Sequence, residues 1–283
     1  MARTVITPEA RQWIENRALS GATRDDILRE LIAAGWQKQA AFEALRASLA
    51  QSAKARVAVS ANAPIANVPE PDLAQSPLCV DAGDRRVRVL LAMREPRIVV
   101  FGDLLSAEEC GELRAAAEPR MKRSETVDRK TGGVQVDAAR TSRGMFFHRG
   151  EDELTRRIEQ RIAKLLNWPA ERGEGLQILH YEPGAEYEQH YDYFDPTDAG
   201  TPALLKHGGQ RVASLIIYLN TPEGGGATTF PDVNLEVMPQ QGNAVFFSYA
   251  EPYPTTKTLH AGAPVVAGEK WIATKWLRER LFA

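Results

Sequence analysis

His190-Tyr191-Asp192 stands near the start of a stretch running from Gln177 to Trp276, and His260 and Lys270 stand near its end. Alternate side chains of an extended strand share a face, so His190 and Asp192 can reach one ion from a single strand. His260 would complete the set. Two imidazoles and one carboxylate leave about half of an octahedral shell open, a pattern suited to oxygen chemistry at a non-haem Fe(II). The same donors fit zinc, and a His-Asp pair in a sheet can equally serve hydrolysis or plain hydrogen bonding. Zinc would leave Lys270 unexplained. That lysine comes after Gly262, Pro264 and Gly268, which suits a strand, a turn and a return strand on the same sheet. It would then face the same opening instead of solvent.

Three runs carry these residues: Ala185-Glu-Tyr-Glu-Gln-His-Tyr-Asp-Tyr-Phe194, Gly224-Gly-Gly-Ala-Thr-Thr-Phe-Pro231, and Leu259-His-Ala-Gly-Ala-Pro-Val-Val-Ala-Gly-Glu-Lys-Trp271. Together they resemble the catalytic half of the prolyl 4-hydroxylase branch of the 2-oxoglutarate- and Fe(II)-dependent dioxygenases. The resemblance spans Arg97 to Arg280, is strongest from Tyr181 onward, and does not reach the N-terminal helices. It implies that His190, Asp192 and His260 hold Fe(II) and that Lys270 binds the distal carboxylate of 2-oxoglutarate. It also makes the hydroxyls of Tyr181 and Tyr218 candidate donors to the carboxylates of that cofactor. Thr274 shares the parity of Lys270 and is a further candidate for the same pocket. Relatives that repair alkylated nucleic acid use an arginine further along, in the region of Arg278 and Arg280, but Lys270 is the better match. The implied reaction is hydroxylation of a peptidyl proline at C4 with release of succinate and CO2, with ascorbate as an accessory reductant. Rival readings are an oxygenase of the same fold acting on another residue, a small metabolite or a nucleobase, and a catalytically silent module that binds a peptide. His148, His180 and His207 match no ligand position of the family, and Ala263 stands where the family commonly has Cys. The triple glycine Gly224–Gly226 lacks the Lys-Ser/Thr pair and following helix of a phosphate loop, so it is expected to be a tight turn.

The elements that must position these residues read as mainly β. Strands are expected at Arg86–Leu91, Arg97–Phe101, Ser142–His148, Leu176–Tyr181, the His190 run, Val212–Leu219, Leu235–Met238, Asn243–Ser248, the His260 region and Lys270–Trp276. Short strands separated by Gly and Pro turns predict an α+β fold built on a jelly roll, a double-stranded β-helix, with helices buttressing one sheet. Ser106-Ala-Glu-Glu109 is a capping box for one such helix, and Glu151–Leu166 has the apolar spacing of another. Cys110 is expected to be a buried small apolar group, and Trp271 and Trp276 core anchors. The polar, Gly-containing segment from Pro119 to Arg143 is expected to be a lid, closing over substrate between Arg123 and Arg140.

Residues 1–50 predict a small three-helix domain. Thr7 would start the first helix, Ser20-Gly21 end it, and Thr23 cap the second. A Gly35-Trp36 pair before the third helix resembles that of ubiquitin-associated-like adaptor domains, which makes a protein partner for these helices an expectation. Residues 51–77, rich in Ala, Val, Asn and Pro, read as a flexible linker, and 78–283 as the oxygenase domain.

A net charge of −2 and a sequence pI near 6.3 provide no basic field to draw the protein onto nucleic acid or an anionic membrane. Cys79 and Cys110 are too few for a disulfide framework. The opening Met1-Ala-Arg-Thr-Val-Ile-Thr-Pro8 lacks the apolar core of a signal peptide, and no later apolar run is long enough to span a bilayer. The expected setting is soluble, reducing and cytoplasmic, which also keeps iron ferrous.

Overall fold

Strands whose residues are apolar on both faces need a layer on each side, and this chain supplies two different ones. The computed structural model describes residues 7, 10, 11, 13, 14, 17, 24–59, 68–127, 134–136 and 141–282. In chain order the elements begin with helices α1 (Arg24–Ala33) and α2 (Lys38–Val59), strands β1 (Cys79–Asp81), β2 (Arg86–Met93) and β3 (Ile98–Gly102), and helix α3 (Ala107–Ala117). Strands β4 (Lys122–Arg123), β5 (Glu125–Val127), β6 (Val134–Val136) and β7 (Arg143–Phe147) precede helix α4 (Glu153–Leu165). Next come β8 (Leu176–Tyr181), β9 (Tyr187–His190), the short helix α5 (Thr201–Leu205), β10 (Arg211–Tyr218), β11 (Gly224–Gly225), β12 (Thr228–Phe230) and β13 (Leu235–Val237). The chain closes with β14 (Ala244–Ser248), β15 (His260–Gly262), β16 (Val265–Ala267) and β17 (Lys270–Arg278).

Nine strands form the major sheet in the order β1-β2-β3-β14-β10-β17-β8-β7-β4, and four form a minor sheet in the order β13-β12-β15-β9. Neighbouring strands run antiparallel. One face of the major sheet is covered by helices: Cys110 and Leu113 of α3 and Ile158, Ile162 and Leu165 of α4 pack with Phe101, Leu215, Ile217 and Phe246. On its opposite face, Val100, Leu179, Ile216, Val245 and Ile272 meet Phe230, Val237 and Val265 from the minor sheets. The site lies within this second cluster. Ser106 and Glu109 make the expected capping box on α3, and Asp152 caps α4. Lys275 of β17 donates to Glu159 of α4 at 2.5 Å, so the helix layer is tied to the strand that carries Lys270.

Helical structure runs into the segment that the sequence reading took as linker. Helix α2 continues to Val59, because Ala, Lys, Arg and Gln are strong helix formers even without a clear apolar stripe. From Val68 the chain already lies on the large domain: Val68 and Leu73 pack on its core, and the Glu70 amide donates to the Leu166 carbonyl at 2.9 Å. Residues 60–67 lie outside the described residues. In the segment expected to be a lid, β5 and β6 pair as a two-stranded sheet, and residues 128–133 and 137–140 lie outside the described residues.

Of the N-terminal readings, the Thr7 hydroxyl accepts from the Ala10 amide at 3.2 Å, while Ser20, Gly21 and Thr23 lie outside the described residues. Ile14, Ile27, Leu31, Trp36 and Leu45 share a small core of their own. Polar ties join these helices to the larger domain: Arg24 to Asp195 at 2.7 Å, Lys38 to Glu188 at 3.0 Å, and Arg46 to Asp232. Among the described residues, no helix is long and apolar enough to cross a membrane.

Candidate metal centre and lysine pocket

β9 and β15 are antiparallel neighbours in which His190 and His260 are direct partners, so the two imidazoles start from adjacent backbone positions. Each ring is fixed by a main-chain carbonyl two residues back. His190 Nδ1 lies 2.8 Å from the Glu188 oxygen and His260 Nδ1 lies 3.0 Å from the Thr258 oxygen. A carbonyl only accepts, so both Nδ1 atoms carry a proton, and in the neutral ring the lone pair then sits on Nε2. Asp192 follows directly after β9 and turns inward. Its Oδ1 is 3.7 Å from His190 Nε2, and its Oδ2 is 3.6 Å from His260 Nε2. These separations are too long for hydrogen bonds and suit three donors around a common centre. The three ligand atoms lie within 4.8 Å of one another.

Burial alone would raise the Asp192 carboxyl. Positive charge on the His260 and His190 rings when they are protonated, followed by Arg211 and the Ser214 hydroxyl, reverses this and lowers it below the usual carboxylate range. The carboxylate is therefore ionised in a buried position and faces two nitrogen lone pairs, a donor set that fits a divalent transition ion with its outer contacts already in place.

Lys270 opens β17, which is flanked by β8 and β10. Directly paired residues share a face of a sheet, so register decides what surrounds it. Lys270 is opposite Tyr181, and Thr274 is opposite Ile216. One cleft is lined by Lys270, Tyr181, Thr274, Thr228, His190, Asp192 and His260, among others. The Lys270 ammonium is buried, sits 5.4 Å from the centre of the Tyr181 ring, and has no carboxylate partner among the described residues. Burial pushes it down to about 8. A buried cation left unpaired is costly, so a cationic pocket of this kind fits the distal carboxylate of a small diacid.

Tyr218 is placed differently from the sequence reading. It faces the same side of the sheet but is fully buried, and its hydroxyl donates to Thr228 Oγ1 at 2.9 Å. Thr228, not Tyr218, lines the cleft. Trp276 also lines it and so is more than a core anchor, whereas Trp271 stacks on His180 at 4.2 Å on the other face of β17. Tyr187 was missed; its ring stacks on His190 with centroids 3.7 Å apart.

The model of the 2OG-Fe(II) oxygenase superfamily matches residues 176–278, the segment that holds all of these side chains. A probable prolyl 4-hydroxylase 3 of Arabidopsis thaliana is 41% identical over 216 residues, covering 69% of this chain and 73% of that protein. The chain belongs to the prolyl 4-hydroxylase family. Prolyl 4-hydroxylase 5 of the same plant is 40% identical over 222 residues, covering 71% of this chain and 74% of that protein. Among solved structures, the viral collagen prolyl hydroxylase of Paramecium bursaria Chlorella virus-1 in complex with 2-oxoglutarate is 33% identical. It covers 64% of this chain and 95% of that one, with a TM-score of 0.50. Membership of this family fits an iron-type donor set in the cleft.

Proposed function

We propose that this protein hydroxylates a peptidyl proline at C4 and uses 2-oxoglutarate as cosubstrate. The observation that carries the reading is the convergence, in one cleft, of the His190, Asp192 and His260 donors with the unpaired Lys270 ammonium. His190 and His260 would hold Fe(II) through Nε2 and Asp192 through one carboxylate oxygen. Fe(II) and 2-oxoglutarate, when bound, would supply the activation of dioxygen, one oxygen atom ending in succinate as CO2 is lost and the other in the hydroxyl group of the product.

The chain's own part is orientation and exclusion of water. The Glu188 and Thr258 carbonyls fix the two rings, so the donor nitrogens need no rearrangement when an ion arrives. Lys270 neutralises the distal carboxylate of 2-oxoglutarate, with Tyr181, Thr228 and Thr274 as its polar neighbours. Leu179, Ile216 and Ile272 form the apolar wall that keeps the cleft dry. Tyr218 contributes indirectly, by orienting Thr228.

The two facing antiparallel sheets support reading the large domain as a double-stranded β-helix. A separate small core at Ile14, Ile27 and Leu31 supports reading residues up to Val59 as a helical module that recruits a protein partner. Ascorbate as reductant and a cytoplasmic setting belong to the same reading. The experiment is anaerobic loading with Fe(II), followed by incubation with 2-oxoglutarate, oxygen and proline-containing peptides. Succinate and hydroxyproline are then quantified by mass spectrometry, with and without ascorbate. Equal succinate and hydroxyproline support the proposal; oxidation confined to free amino acids or nucleobases, or no succinate, overturns it.

A further inference from the structure

Asp192 offers two oxygens, and the structure treats them differently. Ser214 Oγ donates to Oδ2 at 2.6 Å, and the Tyr249 hydroxyl lies 3.0 Å behind it on the same Ser214 oxygen. Ser214 is wholly buried and Tyr249 is 2% exposed, so water cannot substitute in either contact. We propose that Tyr249 and Ser214 form a positioning chain that fixes the Asp192 carboxylate and presents Oδ1 alone to the ion. The inference rests on the metal-centre reading above and adds two residues to it.

Proton direction follows from the groups themselves. An ionised carboxylate only accepts, so the single hydroxyl proton of Ser214 is committed to Asp192. Ser214 Oγ then has only lone pairs left for its other neighbour, and Tyr249 must donate to it. The chain therefore runs from Tyr249 to Ser214 to Asp192, each step strengthening the next.

Both residues are held for this task by backbone register. Ser214 lies on β10 directly opposite Phe247 of β14 and Trp276 of β17, which aims it at the cleft. Tyr249 lies just past β14, where its amide donates to the Val212 carbonyl at 2.9 Å, and Tyr193 meets its ring edge-on at 5.9 Å. A carboxylate that rotated to chelate with both oxygens would break the bond to Ser214 and strand a hydroxyl in a dry pocket. Ligation through one oxygen would leave other coordination positions open to a cosubstrate.

The test uses the full chain and Co(II), a spectroscopic stand-in for Fe(II), titrated anaerobically. Ser214→Ala is expected to weaken Co(II) binding by roughly 10–100-fold, the range for loss of an outer-shell contact, and to alter the Co(II) absorption spectrum. Tyr249→Phe keeps the ring and is expected to weaken binding less, by about tenfold or under. Because Tyr249 acts through Ser214, the double variant is expected to bind no more weakly than Ser214→Ala alone. Ser214→Thr, which keeps the hydroxyl, should restore most of the affinity. Thermal melts check that each variant folds. Unchanged Co(II) affinity and spectrum in both folded single variants would overturn the chain, as would strictly additive losses in the double variant. A wild-type protein that takes up no divalent ion would overturn the metal-centre reading itself, and this inference with it.

Discussion

A lysine ammonium enclosed by three strands with no carboxylate beside it weakens the ligand-free protein, and Lys270 is such a residue. With a folded value of about 8 and an unfolded value near 10.4, the unfolded state holds the proton more tightly, a difference of about 3 kcal/mol. That deficit is present in full below about pH 8 and disappears as pH rises through the interval between the two values. Lys270→Met should therefore stabilise the ligand-free chain by about 2–3 kcal/mol below pH 8 while abolishing 2-oxoglutarate binding; urea melts and calorimetric titration check the two halves separately. In the wild type, affinity for 2-oxoglutarate should decline above about pH 8, where the free enzyme loses the cation. A flat affinity from pH 7 to 9 would assign the carboxylate to another group. His260→Ala is expected to remove stoichiometric iron, read by metal analysis, while leaving the Lys270 wall intact. The position of Lys270 was legible from its strand-turn-strand spacing, but its isolation was not, because isolation depends on what three separate strands exclude from one spot.

At the scale of elements, the site is a consequence of register. Once β17 lies between β8 and β10, parity alone sends Lys270, Ile272, Thr274 and Trp276 to one face with Tyr181, Ile216 and Tyr218. Much of this was readable, since long strands show their period. What escaped were residues on elements too short to have one: Thr228 belongs to the three-residue β12, and its selection over Tyr218 rests on a contact between sheets. The short link between β11 and β12 provides a test. Gly226 has φ +72°, and a Cβ there would stand 3.0 Å from Lys270 Cδ. Gly226→Ala combines a strained left-handed backbone with pressure on the lysine stem. It is expected to raise the KM for 2-oxoglutarate by about tenfold, a loss of about 1.4 kcal/mol, with metal affinity unchanged. An unchanged KM would show that the link gives way without moving Lys270.

At the scale of the molecule, three cations of the N-terminal helices meet three acids around the site: Arg24 with Asp195, Lys38 with Glu188, and Arg46 with Asp232. The sequence disclosed an apolar face on each helix but not these pairings, since a surface charge names no partner until the fold brings one near. Substituting all three cations by Ala is expected to cost about 1–2 kcal/mol of docking and to expose α2 to limited proteolysis at lower salt than in the wild type. Identical cleavage would show that apolar contact alone seats the helices. A truncation beginning at Val68 keeps the residues that pack on the large core and is expected to retain 2-oxoglutarate turnover. Glu188 has two attachments, because its carboxylate reaches Lys38 while its carbonyl accepts the Nδ1 proton of His190. Firming either attachment steadies the residue for the other, and thermodynamic reciprocity makes the influence mutual. Iron loading should then register far from the chemistry, as slower amide hydrogen exchange in α2, and undocked helices as a looser grip on the ion. The enzyme would thus carry a gauge of its own metal occupancy in helices that contribute no donor to the ion.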